Sequence, residues 1–64
     1  MLDNDKLKEI MEKQGLSFES LAEKVGITKV FVSYLVRGLK QPSLEVHTRI
    51  CDVLGVTTDE LIKR

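Results

Sequence analysis

The 64-residue sequence predicts an all-α fold of five short helices around one small core. Four glycines and one proline divide the chain at nearly even intervals, which is typical of short elements joined by turns. Within the segments between them, apolar residues recur at the spacing of a single helix face. No segment alternates convincingly between apolar and polar residues with a period of two, so the pattern gives no support to a β-sheet.

The amino-terminal half predicts three helices, each with a polar cap, an apolar face and a glycine at its end. The first lies near residues 4–14, with Asp3 or Asn4 as its cap. Ser17 can cap the second helix, and Thr28 can cap the third. The glycines that follow are Gly15, Gly26 and Gly38, and the apolar faces are Leu7, Ile10 and Met11, then Leu21, Ala22 and Val25, then Val32, Leu35 and Val36.

The carboxyl-terminal part predicts a loop and two further helices. Pro42 disfavours a helical conformation at Gln41, so a loop is expected there. Ser43 can cap a fourth helix, which Gly55 ends. The stretch Thr57-Thr58-Asp59-Glu60 matches a capping box and predicts a short fifth helix. The apolar residues are Leu44, Ile50, Val53 and Leu54 in the fourth helix, and Leu61 and Ile62 in the fifth.

The second and third helices are joined by a tight turn at Val25-Gly26-Ile27-Thr28. Gly26 can take the left-handed backbone conformation, and Thr28 begins the next helix. This arrangement predicts a helix-turn-helix motif over about residues 18–37, whose second helix, over about residues 28–37, can lie in a DNA major groove. An ordinary helical hairpin with a glycine turn has the same pattern, so the turn alone leaves both interpretations open.

The charges are balanced over the whole chain but unevenly distributed along it. Ten Lys and Arg stand against ten Asp and Glu, a balance that by itself argues against a nucleic-acid partner. The net charge is +2 over residues 17–43 and −1 over each flanking segment. No acidic residue lies between Glu23 and Glu45, and the cations in this acid-free window are Lys24, Lys29, Arg37 and Lys40. The window fits a DNA-binding face, although an unevenly charged solvated surface has the same composition.

Length and residue content argue against catalysis. A chain this short forms one domain, without room for the deep cleft of most enzymes or for a ligand-sensing domain. His47 is the only histidine, and without further ligands it is expected to be a partly buried structural residue. Ser, His and Asp are not spaced as a triad, and no glycine-rich phosphate loop occurs. We therefore expect no enzymatic activity and no cofactor, metal or small-molecule ligand.

Cysteine content and hydropathy indicate the compartment. The single cysteine, Cys51, excludes an internal disulfide and is expected to be an inert buried thiol. A small chain without a disulfide fits a reducing compartment. No apolar run approaches the roughly 20 residues of a membrane span, and the residues from Met1 to Asp5 do not resemble a signal peptide. The expectation is a cytoplasmic protein with no membrane partner.

Short motifs occur along the chain in one characteristic order and spacing. They are Gly15-Leu16-Ser17, Leu21-Ala22-Glu23-Lys24-Val25-Gly26-Ile27-Thr28, Val32-Ser33, Arg37-Gly38, Pro42-Ser43-Leu44, Leu54-Gly55-Val56-Thr57 and Asp59-Glu60-Leu61. From Leu7 to Leu61, without a gap, the chain resembles the Cro/repressor-type helix-turn-helix family, also called the XRE family of bacterial and phage regulators. The resemblance implies a five-helix, lambda-repressor-like DNA-binding domain over residues 1–64. It also implies a sequence-specific, repressor-like transcriptional regulator whose third helix contacts base edges of double-stranded DNA.

The resemblance further implies a DNA interface, position by position. The groove-facing residues of the third helix would be Thr28, Lys29, Val30, Phe31, Ser33 and Tyr34. Lys29 could reach a guanine edge or a phosphate, and Val30 and Phe31 could contact a thymine methyl group. Ser17 and Phe18 lie at the start of the second helix, where its amides would face a phosphate. The residues that would hold the DNA backbone beyond the third helix are Arg37, Lys40, Gln41 and Ser43.

Two departures from the family pattern bear on this interface and on the core. The family usually has Gln at the start of the second helix, where it binds phosphate, and Phe18 cannot do so. The family also commonly pairs a buried Glu before the Arg-Gly ending with an Arg in the first helix. The corresponding residues here are Val36 and Met11. Because both positions are apolar together, no charge is left unpaired, and we expect Met11 to contact Val36.

A third departure is the apolar character of the third helix. One buried stripe does not readily account for Val30, Phe31 and Tyr34 in addition to the residues already assigned to the core. Exposed apolar residues on this surface suggest a protein contact as readily as a DNA contact. The chain also resembles the amino-terminal helical domain of cyanate lyase, which serves subunit association, through Leu16-Ser17-Phe18, Phe31-Val32 and Gly38. The alternative function is therefore a protein-interaction or oligomerisation module without DNA binding.

The oligomeric state is expected from the motif. Most helix-turn-helix proteins bind two half-sites about 34 Å apart as symmetric dimers, so a homodimer is expected. Apolar residues near the carboxyl end can either close the core or form the dimer contact; they are Leu54, Val56, Leu61 and Ile62.

Overall fold

The chain forms four α-helices and one short 3-10 helix over residues 1–63, the part that this computed structural model describes. Arg64, the last residue of the expected domain, lies outside the described residues. The elements are α1 (Asn4–Gln14), α2 (Phe18–Val25), α3 (Lys29–Val36), α4 (Leu44–Leu54) and the 3-10 helix (Thr58–Leu61). The predicted all-α class is confirmed for the described residues, and α2 and α3 occupy the predicted helix-turn-helix segment.

The prediction of a fifth α-helix is wrong, because its segment forms a 3-10 helix of four residues. The hydroxyl of Thr57 makes no capping hydrogen bond, so the expected capping box with Glu60 does not form. The 3-10 helix stops where Ile62 becomes extended and forms an isolated antiparallel bridge with Leu2. Backbone hydrogen bonds of 2.7 and 2.8 Å flank this bridge. Pairing with the amino-terminal segment therefore prevents a longer helix from forming.

The starts of the four α-helices follow from local capping, as the sequence predicts. In each case an oxygen of the preceding residue's side chain accepts a hydrogen bond from the backbone N–H three positions later, which satisfies one of the unpaired amides of the first turn. The pairs are Asp3 with Lys6, Ser17 with Ser20, Thr28 with Phe31 and Ser43 with Val46. These caps fix where each helix begins.

A single apolar core joins all five elements. Each element contributes one fully buried side chain to it: Leu7, Leu21, Leu35, Ile50 and Leu61. Met11 and Val36, expected to be in contact, are both buried in this core. Leu44 departs from the predicted apolar set of α4, since 81% of its surface is exposed at the amino end of the helix.

The carboxyl-terminal apolar residues divide between the core and the surface. Leu54 and Leu61 are buried, Val56 is half-buried, and Ile62 is exposed. Leu54 also anchors α1 to α4, because its carbonyl oxygen accepts a 2.8 Å hydrogen bond from Nε2 of Gln14. Leu54 and Leu61 therefore close the core, and Ile62 alone of this set remains at the surface.

His47 and Cys51 are structural residues of α4. His47 is buried, and its Nε2 lies 3.2 Å from the carbonyl oxygen of Thr58, which ties α4 to the 3-10 helix. Cys51 is buried, and this burial, reinforced by nearby Asp52 and Glu60, raises the pKa of its thiol. Along residues 1–63, no helix has the length and apolar character needed to cross a membrane.

Candidate nucleic-acid interface

The angle between α2 and α3 is set by the turn at Gly26. Its φ of +86° lies in the left-handed region, which favours glycine because it has no Cβ. The N–H groups of Gly26 and Ile27 both donate to the carbonyl of Ala22, at 2.8 and 3.0 Å, and so end α2. Thr28 then caps α3. Two backbone bonds and one side-chain cap thus hold the helix-turn-helix geometry.

One face of α3 is buried and the other faces outward. Val32, Leu35 and Val36 are buried in the core. The opposite side carries residues three, four and seven positions apart, a spacing that places them on a common helix face. They are Val30, Ser33, Tyr34 and Arg37, with Lys29 beside them, and we call these five residues the outward stripe. The core orients α3 so that this stripe is available to a partner.

The structure places the twelve sequence-predicted site residues at or near the surface to different extents. Eight are exposed: Ser17, Thr28, Lys29, Val30, Arg37, Lys40, Gln41 and Ser43. Four are half-buried: Phe18, Phe31, Ser33 and Tyr34. None is buried, so each retains some surface for contact.

Packing explains much of the apolar character that the sequence left unexplained. Phe18 and Phe31 are half-buried and pack against the core. Tyr34 is half-buried, and the ammonium of Lys40 lies 5.4 Å from the centre of its ring, within cation–π distance. Val30 is different, because 58% of its surface is exposed. Of the three residues that one buried stripe does not explain, only Val30 remains largely in solvent.

Several of the predicted backbone-binding residues already have intramolecular roles. The hydroxyl oxygens of Ser17, Thr28 and Ser43 cap their own helices. Ser17 also donates its hydroxyl proton to Ser20 at 3.1 Å. The Oε1 of Gln41 accepts a 2.8 Å hydrogen bond from the N–H of Leu2. The donor Nε2 of Gln41 is therefore the atom suited to a phosphate.

The electrostatics of this surface follow from the acid-free window. The ion pairs found in residues 1–63 join Glu9 to Lys13 and Glu45 to Arg49, both within single helices outside the window. Lys29, Arg37 and Lys40 are exposed and engage no carboxylate among those pairs. Their positive charge is consequently available to an anionic partner.

Two contacts near the motif carry no local sequence signal. Arg49 of α4 brings its Nη1 to 3.8 Å from the position that a Cβ would occupy at Gly26. Asn4 of α1 contacts the end of α3 through its side-chain amide. In both cases the partner lies more than 20 residues away in the sequence, so only the packing of the helices brings the groups together.

Comparison with known proteins places this geometry in context. The helix-turn-helix family model HTH_3 matches residues 7–61. The prophage-derived HTH-type transcriptional regulator YonR of Bacillus subtilis is 32% identical over 59 residues, which cover 92% of this chain and 55% of YonR. An HTH-type transcriptional regulator of Archaeoglobus fulgidus is 30% identical over 56 residues, covering 88% of this chain and 80% of that protein. This chain thus spans little more than half the length of YonR.

A solved structure extends the similarity to three dimensions. The biofilm regulator SinR of Bacillus subtilis, crystallised in complex with DNA, is 30% identical and has a TM-score of 0.85. The match covers 92% of this chain and 98% of the SinR chain. The four α-helices and their turns are thus arranged as in a protein whose structure contains DNA.

Proposed function

This chain belongs to the helix-turn-helix family HTH_3, and from that premise we propose that it is a sequence-specific, DNA-binding transcriptional regulator. The motif from Phe18 to Arg37 would bind double-stranded DNA, with α3 in the major groove. The observation that carries the proposal is the outward stripe of α3 within the acid-free window. It combines a helix surface free of the core with cations that have no nearby acidic residue in sequence.

Each part of the surface has a distinct role in this proposal. The outward stripe contacts base edges, while Arg37 and Lys40 contact phosphates and fix the register of α3. Ser17 and Phe18 place the amino end of α2 against a phosphate, where the helix dipole favours negative charge. Nε2 of Gln41 and the backbone near Ser43 extend this contact beyond α3. The whole of residues 1–64 acts as one helix-turn-helix domain.

The proposal includes a homodimer and repressor-like action. One α3 contacts only a few base pairs, and a two-fold dimer joins two half-sites about 34 Å apart. Occupancy of such a site would block transcription by competition for the DNA. Because a regulator acts where DNA is found, we place it in the cytoplasm. We expect no catalytic activity and no requirement for a cofactor, metal or small-molecule ligand.

The experiment that tests the proposal is selection of duplex DNA from a random pool at low salt, followed by binding measurements on the enriched sequence. We expect enrichment of a two-fold symmetric site, bound far more tightly than random duplex. The variant Lys29→Ala/Arg37→Ala/Lys40→Ala should abolish binding. A matched variant, Lys8→Ala/Lys13→Ala/Lys63→Ala, removes the same charge from exposed positions outside the window and should retain it. Equal losses for both variants, or no enrichment, would contradict the proposal.

Oligomeric state needs its own measurement. Sedimentation equilibrium, with and without the selected duplex, should give two chains per duplex. A 1:1 complex on an asymmetric site would contradict the homodimer while leaving DNA binding intact.

The alternative of a protein-interaction module has lost most of its sequence support. It rested on exposed apolar residues of α3, and two of these, Phe31 and Tyr34, are half-buried. Phe31→Ser therefore serves as the test, because disrupted self-association in a folded variant that still binds duplex would favour an association role for that residue.

A further inference from the structure

We propose that Val30 makes α3 selective for DNA that presents a C5-methyl group in the major groove, beside a guanine contacted by Lys29. This inference rests on the proposed function and specifies which base chemistry the site recognises. The methyl group belongs either to thymine or to 5-methylcytosine, which present the same apolar group at the same position of the base.

The first argument is the placement of Val30. It lies in the first turn of α3 on the outward stripe, with Ser33 and Tyr34 three and four positions later. Folding leaves 58% of its surface exposed, whereas Val32 and Val36 of the same helix are buried. Apolar surface of this kind gains free energy when it leaves water, and in the major groove the apolar group available to it is the C5-methyl.

The second argument is the set of polar groups on α3. Within Lys29–Val36 there is no Asn, Gln, Asp, Glu or Arg. The helix therefore cannot form the paired hydrogen bonds by which Asn or Gln recognises adenine, and it has no carboxylate to accept from cytosine N4. The donors that remain are the Lys29 ammonium, suited to guanine O6 and N7, and hydroxyls, which suit several bases. Base selectivity consequently depends on Lys29 and on apolar contact.

Gln41, the nearest side-chain amide after α3 in the sequence, does not fill this gap. Recognition of adenine by an amide requires both its oxygen and its nitrogen. The Oε1 of Gln41 already accepts the N–H of Leu2 at 2.8 Å. Only its Nε2 remains as a donor, which is enough for a phosphate but not for paired contacts to adenine.

The third argument is charge complementarity, which favours DNA over a protein as the occupant of this face. Val30 is flanked by Lys29 and lies seven residues before Arg37, inside the acid-free window. A duplex places phosphates on both sides of the groove that holds the base edges, so the cations and the apolar side chain are satisfied together. An uncharged protein surface would leave those cations without partners.

The experiment uses the full chain and the enriched duplex, with two arms that distinguish the two sources of the methyl group. In one arm each thymine is replaced singly by deoxyuridine, which removes only the methyl group. In the other arm each cytosine is replaced singly by 5-methylcytosine. We expect about a fourfold loss at one or more thymines, or about a fourfold gain at a cytosine, the effect of burying one methyl group.

Variants assign that effect to Val30. Val30→Ala should reduce the methyl-dependent ratio to about one while the chain remains folded. The matched control is Leu39→Ala, since Leu39 is 59% exposed and lies outside α3. It should leave the ratio unchanged. If the duplex is bound but neither arm changes affinity, or if Val30→Ala retains the ratio, the inference fails and the proposed function stands. If no duplex is bound at all, both fail.

Discussion

The side-chain amide of Asn4 donates a hydrogen bond to the main-chain carbonyl of Val36, with 3.3 Å between Nδ2 and the oxygen. Asn4 is the first residue of α1, and Val36 is the last residue of α3. The contact therefore satisfies one of the carbonyls that lack a partner at a helix end. It also fixes the carboxyl end of α3 next to Gly38, whose φ is +74°.

We predict that Asn4→Ala lowers the free energy of unfolding by about 1 kcal/mol, because the carbonyl of Val36 loses its partner. Gly38→Ala should cost more than about 1 kcal/mol, because the new Cβ would require a left-handed backbone conformation. That Cβ would also lie 3.3 Å from two atoms of the Asn4 side chain. Urea unfolding followed by circular dichroism measures both changes, with Glu12→Ala as an exposed control in α1.

The double variant Asn4→Ala/Gly38→Ala tests the contact between the two positions. Its loss should be smaller than the sum of the single losses, since the side chain that crowds the Cβ is absent. Additivity within about 0.3 kcal/mol would show that the two sites do not interact.

Restoration of charges at Met11 and Val36 tests whether these two buried residues are in contact. Each is at most 7% exposed, so Met11→Arg or Val36→Glu alone places an unpaired charge in the core. We expect each single variant to lose about 3 kcal/mol or more, and the double variant to regain a substantial part of that loss. Thermal unfolding of the four proteins provides the measurement. A double variant no more stable than the worse single variant would indicate that the side chains do not meet.

The salt dependence of DNA binding should identify Lys40 as a phosphate contact. Lys40→Ala should weaken binding to selected and random duplexes alike and reduce the slope of log K against log salt concentration by about one. Lys63→Ala removes an equal charge from an exposed position outside the window and should leave the slope unchanged. The comparison requires affinity measured at several salt concentrations. If the two variants share one slope, net charge alone governs binding and Lys40 makes no specific contact.

Alkaline pH should destabilise the fold through Cys51. Burial raises the pKa of the folded thiol above its ordinary value of 9.0. Below that value both states are protonated, and the stability from this group is fully present. As pH rises above it, the unfolded thiol ionises first, so the free energy of unfolding falls by at most about 1.4 kcal/mol per pH unit.

The variant Cys51→Ala isolates this effect from other alkaline titrations. Its stability should fall less steeply than that of the wild type between about pH 8 and about pH 10. Urea unfolding at a series of pH values gives both slopes. Parallel slopes would mean that the thiol has the same pKa in the folded and unfolded states.

The sequence by itself determined the features that depend on neighbours within a turn or two. Asp3, Ser17, Thr28 and Ser43 begin their helices as predicted, because a cap needs only the amide three residues later. Helical periodicity likewise identified the buried faces of α1 to α3, and Gly26 identified the turn between α2 and α3.

Tertiary structure decided the features that depend on distant groups. The last segment satisfied a local helix pattern, yet the bridge between Leu2 and Ile62 left it only one 3-10 turn. Phe31 belonged to no predicted buried stripe, and packing of the helices half-buries it. Gln41 lost its oxygen to the N–H of Leu2, 39 residues away. Local propensity cannot anticipate such contacts, because they form only once the helices have packed around a common core.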